Sequence, residues 1–358
     1  MASLELSGIN KSYGDTVAVA DIDLKIADNE FFCIFGPPSC GKTTILRLLL
    51  GLVAPDTGEV RIGGEAVTEK PPKDRNLAMV FQNLALFPHM TTRQNLAFPL
   101  AERKMEKQEI EARVQSVAET LHITPFLNKL PAHLSGGERQ RVAIGRALVR
   151  DPSAFLMDEP IAALDARLRE EMRVELKRLQ REQNHTLVYV THDQEEAMSV
   201  ADRMAIFESG RIRQVGAPAQ IYNKPNSRYV AELIGSPPIN FIDGTLGGGA
   251  FTGEAQHVVM PFEGVTHSGP TSLAVRPEDI EIRGPDQTGI EATVYEVEPL
   301  GAFTIIDVII GENILKVQVG GQPKFELGSS VRLLLESINC HLFDGNSGDI
   351  IINAGGTH

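Results

Sequence analysis

The run Gly36-Pro37-Pro38-Ser39-Cys40-Gly41-Lys42-Thr43 fits the pattern G-x-x-x-x-G-K-[ST] and constrains this chain more than any other stretch. The apolar segment before it, Phe31-Phe32-Cys33-Ile34-Phe35, reads as a buried strand. Thr44-Ile45-Leu46-Arg47-Leu48-Leu49-Leu50 behind it reads as a helix. A loop in that setting turns backbone N–H groups and the positive end of a helix dipole toward an anion. Lys42 then reaches the outer phosphates of a nucleotide and Thr43 offers its hydroxyl to Mg²⁺. The plainer reading is a glycine turn ahead of a buried helix, and the rest of the chain weighs against it.

The 358 residues allow one to three domains, and 42% hydrophobic content is ordinary for a globular core. A net charge of -13 argues against nucleic acid as the main partner. No apolar run approaches the roughly 20 residues of a membrane helix. Met1-Ala2-Ser3-Leu4-Glu5-Leu6 has neither the basic region nor the apolar core of a signal peptide. The 3 cysteines, Cys33, Cys40 and Cys340, are scattered without a C-x-x-C, which fits a reducing cytoplasm and neither a disulfide framework nor a zinc site.

Residues 1–234 alternate strand and helix signals, which predicts an α/β unit with a parallel sheet. Ala154-Phe155-Leu156-Met157 ends at Asp158-Glu159, and Leu187-Val188-Tyr189-Val190 ends at Thr191-His192-Asp193. Ligands of open α/β sheets sit beyond the carboxyl ends of strands, so these polar residues are placed for chemistry. Over about 83–150 the pattern turns helical, with Ile110, Val114, Val117, Ala118 and Leu121 on one face, as in a helical subdomain inserted into the α/β core. A further helix after Asp165 carries Leu168, Met172, Leu176 and Leu179 on one face. The breaker cluster Gly235-Ser236-Pro237-Pro238 suggests a boundary, with residues 235–358 forming a second domain. Its short runs, among them Ser272–Val275, Ala292–Tyr295, Thr304–Ile310 and Val331–Leu335, suggest a small all-β barrel or sandwich.

Asp158-Glu159 at a strand end suits a nucleotide site, the Asp holding Mg²⁺ through water and the Glu acting on an attacking water. Leu134-Ser135-Gly136-Gly137-Glu138-Arg139-Gln140 has two readings at once. Ser135 and Glu138 form an S-x-x-E capping box. Two glycines in the first turn cost helix stability, which makes sense where another molecule approaches closely.

These residues resemble the signature of the ABC ATPase family, and the remaining motifs stand in family order. Tyr13, in Lys11-Ser12-Tyr13-Gly14, resembles the aromatic residue that stacks on adenine. Gln82 resembles the glutamine that joins core and helical subdomain. Ile161-Ala162-Ala163-Leu164-Asp165 resembles the loop after the catalytic Glu, and His192 the switch histidine at the γ-phosphate. The match covers about two thirds of the chain. Gly235–Phe241 and Val275–Ile280 are similar to segments of the maltose-type sugar importer ATPases, whose tail is an OB-like regulatory and dimerisation domain.

The resemblance implies a P-loop NTPase core with ATP and Mg²⁺ as cofactors. It implies nucleotide contacts from Tyr13, Gly36, Pro37, Pro38, Ser39, Cys40, Gly41, Lys42, Thr43 and Thr44, and, from a second subunit, Ser135, Gly136, Gly137 and Asp165. It implies metal contacts from Thr43, Gln82 and Asp158, and catalytic roles for Glu159, His192, Gln82 and Lys42. The expected partners are a second ATPase subunit, two separate membrane permease subunits and, indirectly, a solute-binding protein, with the chain peripheral on the cytoplasmic face of the bacterial inner membrane. Sugar or polyol import is the expected function. Import of another solute (an anion, polyamine or metal chelate) is the alternative. A soluble ABC ATPase of repair or translation would carry a coiled-coil insertion or a tandem ATPase unit, and neither is present.

The chain departs from the family at the loop. Pro38 stands where a serine is usual and lacks an N–H; Ser39 stands where a glycine is usual and tolerates unusual backbone angles less well. Both changes predict weakened ATP binding. Glu138 replaces a common glutamine and preserves the capping box. Ala162 and Ala163 are smaller than the usual residues of their loop.

Overall fold

The computed structural model describes residues 2–162, 164–254 and 258–355. The chain divides into two compact units between Pro218 and Ala219.

The first unit runs β1 (Leu4–Tyr13), β2 (Thr16–Ile26), β3 (Phe31–Phe35), α1 (Lys42–Leu50), β4 (Thr57–Ile62), β5 (Glu65–Ala66), β6 (Leu77–Val80), α2 (Thr92–Ala101), α3 (Lys107–Thr120), α4 (Gly136–Leu148), β7 (Ala154–Asp158), α5 (Ala166–Gln183), β8 (Leu187–Thr191), α6 (Gln194–Val200), β9 (Arg203–Glu208) and β10 (Arg211–Gly216). One sheet has the order β10-β9-β3-β8-β7-β6 and is parallel from β9 to β6. Every residue of β3, β7 and β8 is buried, as expected of strands covered on both faces. A second, antiparallel sheet has the order β2-β1-β4-β5. Leu4, Leu6, Ile22 and Val60 from it share a core with Phe32 and Ile34 of β3 and with Ile45, Leu46 and Leu49 of α1.

α2, α3 and α4 fill the interval between β6 and β7, where the sequence turned helical. Val114, Ala118 and Leu121 are buried, and Ile110 and Val117 are partly so. The topology places β3, β7 and β8 side by side, so their carboxyl ends open on one edge of the sheet. Among the described residues no helix is long and apolar enough to cross a membrane.

The second unit opens with α7 (Pro218–Asn223), whose first residue lies at the division, and α8 (Arg228–Leu233). The strands follow: β11 (Asn240–Gly247), β12 (Ala250–Gly253), β13 (Val259–Pro261), β14 (Gly269–Val275), β15 (Glu281–Arg283), β16 (Ile290–Pro299), β17 (Phe303–Ile310), β18 (Asn313–Gly320), β19 (Ser330–Leu334), β20 (Cys340–Asp344) and β21 (Ile350–Ile352). They form antiparallel sheets of order β13-β12-β11-β14-β20-β21 and β15-β19-β16-β17-β18. Both sheets contribute to one core that includes Phe251, Leu273, Ile306, Val317, Leu333 and Leu342.

The division falls earlier than the expected boundary at 234/235. Arg276, 3% exposed, explains it. Its guanidinium stacks 4.0 Å over the Tyr222 ring and donates to the carbonyls of Tyr222, at 2.9 Å, and of Ile234. These contacts tie α7 and the end of α8 to β14, so the Gly235–Pro238 cluster bends the chain inside the second unit.

Candidate nucleotide site

The phosphate-loop residues leave β3 and enter α1 with no side-chain cap. Gly41 is the N-cap at φ 106°, and a Cβ there would meet the Ala18 carbonyl oxygen at 2.4 Å, so only glycine fits. Ser39 also adopts a left-handed backbone, φ 63°, without glycine's freedom. Such a residue carries a strain of about 1 kcal/mol. Lys42 is 5% exposed and its ammonium donates to the carbonyls of Gly36 at 2.8 Å and Pro37 at 2.7 Å, which closes the loop on its own lysine. Cys40 turns its side chain into the core; burial raises its thiol pKa against the pull of Lys42, so it acts there as a small apolar residue.

Asp158, the last residue of β7, accepts from the Thr43 hydroxyl at 3.3 Å. Burial raises its carboxyl pKa, with the Thr43 hydrogen bond acting the other way. Glu159 follows with φ 46°, a conformation held by its N–H bond to the Val190 carbonyl at 2.9 Å. Strain of this kind persists where its surroundings over-determine it, and active sites are where it collects. The Glu159 carboxylate lies between two groups: Gln82 Nε2 donates to Oε2 at 3.0 Å, and His192 Nδ1 stands 2.7 Å from Oε1.

A cavity of about 560 Å³ gathers Pro38, Ser39, Gly41, Lys42, Thr43, Thr44, Gln82, Glu159 and His192. Tyr13 lines it too, 46% exposed, with the Lys11 ammonium 5.7 Å above its ring. Thr16, Val17 and Ala18 complete this wall. The sequence reading missed these three; the Tyr13-Gly14 turn ahead of an alternating strand was the available signal.

Ser135, Gly136, Gly137 and Asp165 do not line that cavity. Ser135 caps α4 as expected: its Oγ accepts from the Glu138 N–H at 3.2 Å while its own N–H donates to Glu138 Oε2 at 2.6 Å. Asp165 is exposed and caps α5 through the Leu168 N–H at 3.0 Å. Of the two glycines expected to admit another molecule, Gly137 does something else. A Cβ there would lie 2.0 Å from Leu168 Cδ2, so this glycine serves the packing of α4 on α5. A Cβ on Gly136 would have no neighbour within 4 Å, and Gly136 alone offers an open approach. Ala163 lies outside the described residues.

A phosphate loop feeding an uncapped helix, with Glu159 across the same cavity and Asp158 behind it on the Thr43 hydroxyl, defines a P-loop nucleoside triphosphatase. Comparison with known proteins narrows the class. Residues 19–162 match the ABC transporter family and residues 273–343 the TOBE domain. The chain is 42% identical, over 98% of its length and 100% of the relative's, to the trehalose/maltose import ATP-binding protein MalK of Thermococcus litoralis. It is 43% identical to the sn-glycerol-3-phosphate import ATP-binding protein UgpC of Rhizobium meliloti, covering 96% of this chain and 98% of that one. It is 43% identical to the xylose/arabinose import ATP-binding protein XacJ of Haloferax volcanii, covering 99% and 96%. The dimeric post-hydrolysis structure of the ATP-binding cassette MJ0796 bound to ADP and Pi superposes with a TM-score of 0.56 at 30% identity, over 60% of this chain and 98% of that chain. The chain belongs to the ABC transporter family, as one of its nucleotide-binding ATPase subunits.

Proposed function

We propose that this chain hydrolyses ATP to drive import of a sugar or polyol through separate membrane permease subunits. The observation that carries the reading is Glu159, bridged by Gln82 and His192 across the cavity from the phosphate loop. A carboxylate so placed orients an attacking water in line with the terminal phosphate, and Lys42 and His192 stabilise the charge that develops. The hard oxygen donors Thr43 and Asp158, 3.3 Å apart, suit Mg²⁺, which takes one or two protein oxygens and completes its shell with phosphates and water. Bound there, the ion neutralises phosphate charge.

Ser135 and Gly136 stand away from the cavity, which accords with a head-to-tail pair of subunits in which each signature closes the other's site. ATP then closes the dimer and hydrolysis releases it, a coupling through differential affinity. The MJ0796 structure is described as dimeric. A groove of about 600 Å³ beside α2 and α4, lined by Phe81, Phe87, Phe98, Pro99, Arg146 and Arg150, offers the permease subunits a mixed apolar and basic seat. On this reading the chain works at the cytoplasmic face of the membrane, with a solute-binding protein as an indirect partner. The proposed domain roles follow: the first unit for ATP, the β-rich second unit for dimerisation or regulation.

Two relatives are named for sugars and one for a phosphorylated polyol, so a charged solute is the second reading. Ligand binding by the partner solute-binding protein decides between them. The ATPase reading is tested with Glu159→Gln. We expect turnover to fall about a hundredfold or more while Mg-ATP is still bound and holds a dimer. Wild-type turnover would remove Glu159 from the mechanism.

A further inference from the structure

His192 sits between two residues whose polar atoms are tied together. The Asp193 N–H donates to Thr191 Oγ1 at 2.9 Å. The threonine hydroxyl's own hydrogen is then free, and the hydroxyl donates to Glu196 Oε2 at 2.7 Å. The Tyr189 hydroxyl donates to the same carboxylate oxygen at 2.8 Å. The Glu196 N–H in turn donates to Asp193 Oδ1 at 3.1 Å.

Asp193 and Glu196 have capping-box spacing, and in an ordinary box the glutamate would accept directly from the N-cap N–H. Here the return bond is relayed through Thr191, and the closed ring contains the backbone of His192. Asp193 is held from α5 as well, with Arg169 Nη1 3.3 Å from Oδ2.

Glu196 is 1% exposed and does not line the nucleotide cavity. Burying a carboxylate costs desolvation free energy, and burial raises its pKa. Helix capping alone does not require this, because α4 has a complete capping box built on Glu138, which is only half-buried. The buried carboxylate is accounted for if what it fixes is the position of His192 relative to Glu159, 2.7 Å away.

We propose that Glu196 is a positioning residue for ATP hydrolysis, acting through the Thr191 hydroxyl to fix the backbone that carries His192. This rests on His192 taking part in hydrolysis. The test uses the full chain, steady-state turnover and ATP titration. Thr191→Val should lower kcat about tenfold, the size of one lost hydrogen bond; Glu196→Gln, whose amide oxygen still accepts but carries no charge, should lower it by a smaller factor; both should leave the Kd for ATP within about twofold. Thr191→Ser, which keeps the hydroxyl, should restore kcat to within about threefold of the starting protein. In a His192→Ala background neither Thr191→Val nor Glu196→Gln should lower the residual kcat further, since the group they position is gone. Losses that multiply in that background would overturn the proposal. So would an unchanged kcat in Thr191→Val beside an impaired His192→Ala. Wild-type turnover in His192→Ala would instead remove the role of His192 itself and the positioning role with it, so the two failures are distinguishable. If Glu196→Gln does not fold, the Thr191 series carries the test.

Discussion

Two helices of the first unit begin beside a glycine and treat their first N–H groups in opposite ways. α1 starts at Gly41 with no side-chain cap. α4 starts at Ser135 with both bonds of a capping box in place. The first four N–H groups of any helix lack intrahelical partners. α1 leaves its start without a side-chain partner beside the cavity, where on the proposed function a phosphate completes it. α4 satisfies two donors internally, the Ser135 N–H through the Glu138 carboxylate and the Glu138 N–H through the Ser135 hydroxyl, so it is stable while exposed. The glycines differ as well. Gly41 supplies a backbone angle of 106° at a point of close approach, while Gly137 leaves room for Leu168. On the proposed function, the helix start that binds within its own chain is left incomplete, and the one that waits for a second subunit is completed by its own side chains.

The largest effect that could break this contrast is at Lys42. Replacing it by Ala removes charged hydrogen bonds at the incomplete start, and ATP affinity should fall about a hundredfold or more. Ser135→Ala should leave ATP binding to the dilute chain within about twofold, because that serine lies outside the cavity; a serine–phosphate bond formed only in the dimer would show itself in turnover. If titration shows equal losses for both, the two starts are not different in kind.

The loop double substitution Pro38→Ser, Ser39→Gly sharpens the comparison from the other side. It restores an N–H and relieves the left-handed strain at Ser39, so ATP should bind about tenfold tighter. Equal or weaker binding at fixed Mg²⁺ would mean that the loop already compensates for its prolines.

Smaller effects belong to the capped start. Ser135→Ala should cost about 1 kcal/mol of folding stability in urea unfolding, as the loss of an N-cap does. Gly136→Ala should act with the opposite sign. Its added Cβ meets nothing, so the fold should gain about 0.5–1 kcal/mol while turnover falls where a second molecule needs the space. A variant that is both more stable and fully active would leave Gly136 without a functional reason.

The parts of the fold legible in the sequence were those written in local periodicity. Phe31–Phe35, Ala154–Met157 and Leu187–Val190 were continuous apolar runs because their strands are buried on both faces. Met172, Leu176 and Leu179 form the buried face of α5 as their spacing indicated. Pairings between distant residues left no local trace. Gln82, Glu159 and His192 meet only because β6, β7 and β8 are neighbours in the sheet. Arg276 and Tyr222 tie α7 to the β-rich unit across an interval that the breaker cluster at Gly235–Pro238 marks as a divide. Glu196 was missed although Asp193 and Glu196 have the spacing of a cap, because the bond that matters passes through Thr191.

The two bonds by which Lys42 holds the carbonyls of Gly36 and Pro37 bear on kinetics. Ordering a residue's backbone costs about 1–2 kcal/mol, and for this loop folding has already met that cost. On the proposed function an arriving nucleotide meets a loop already ordered, and its association rate is expected to follow encounter. Loop variants that keep the lysine tie should then differ in how long the nucleotide stays, with little change in how fast it arrives.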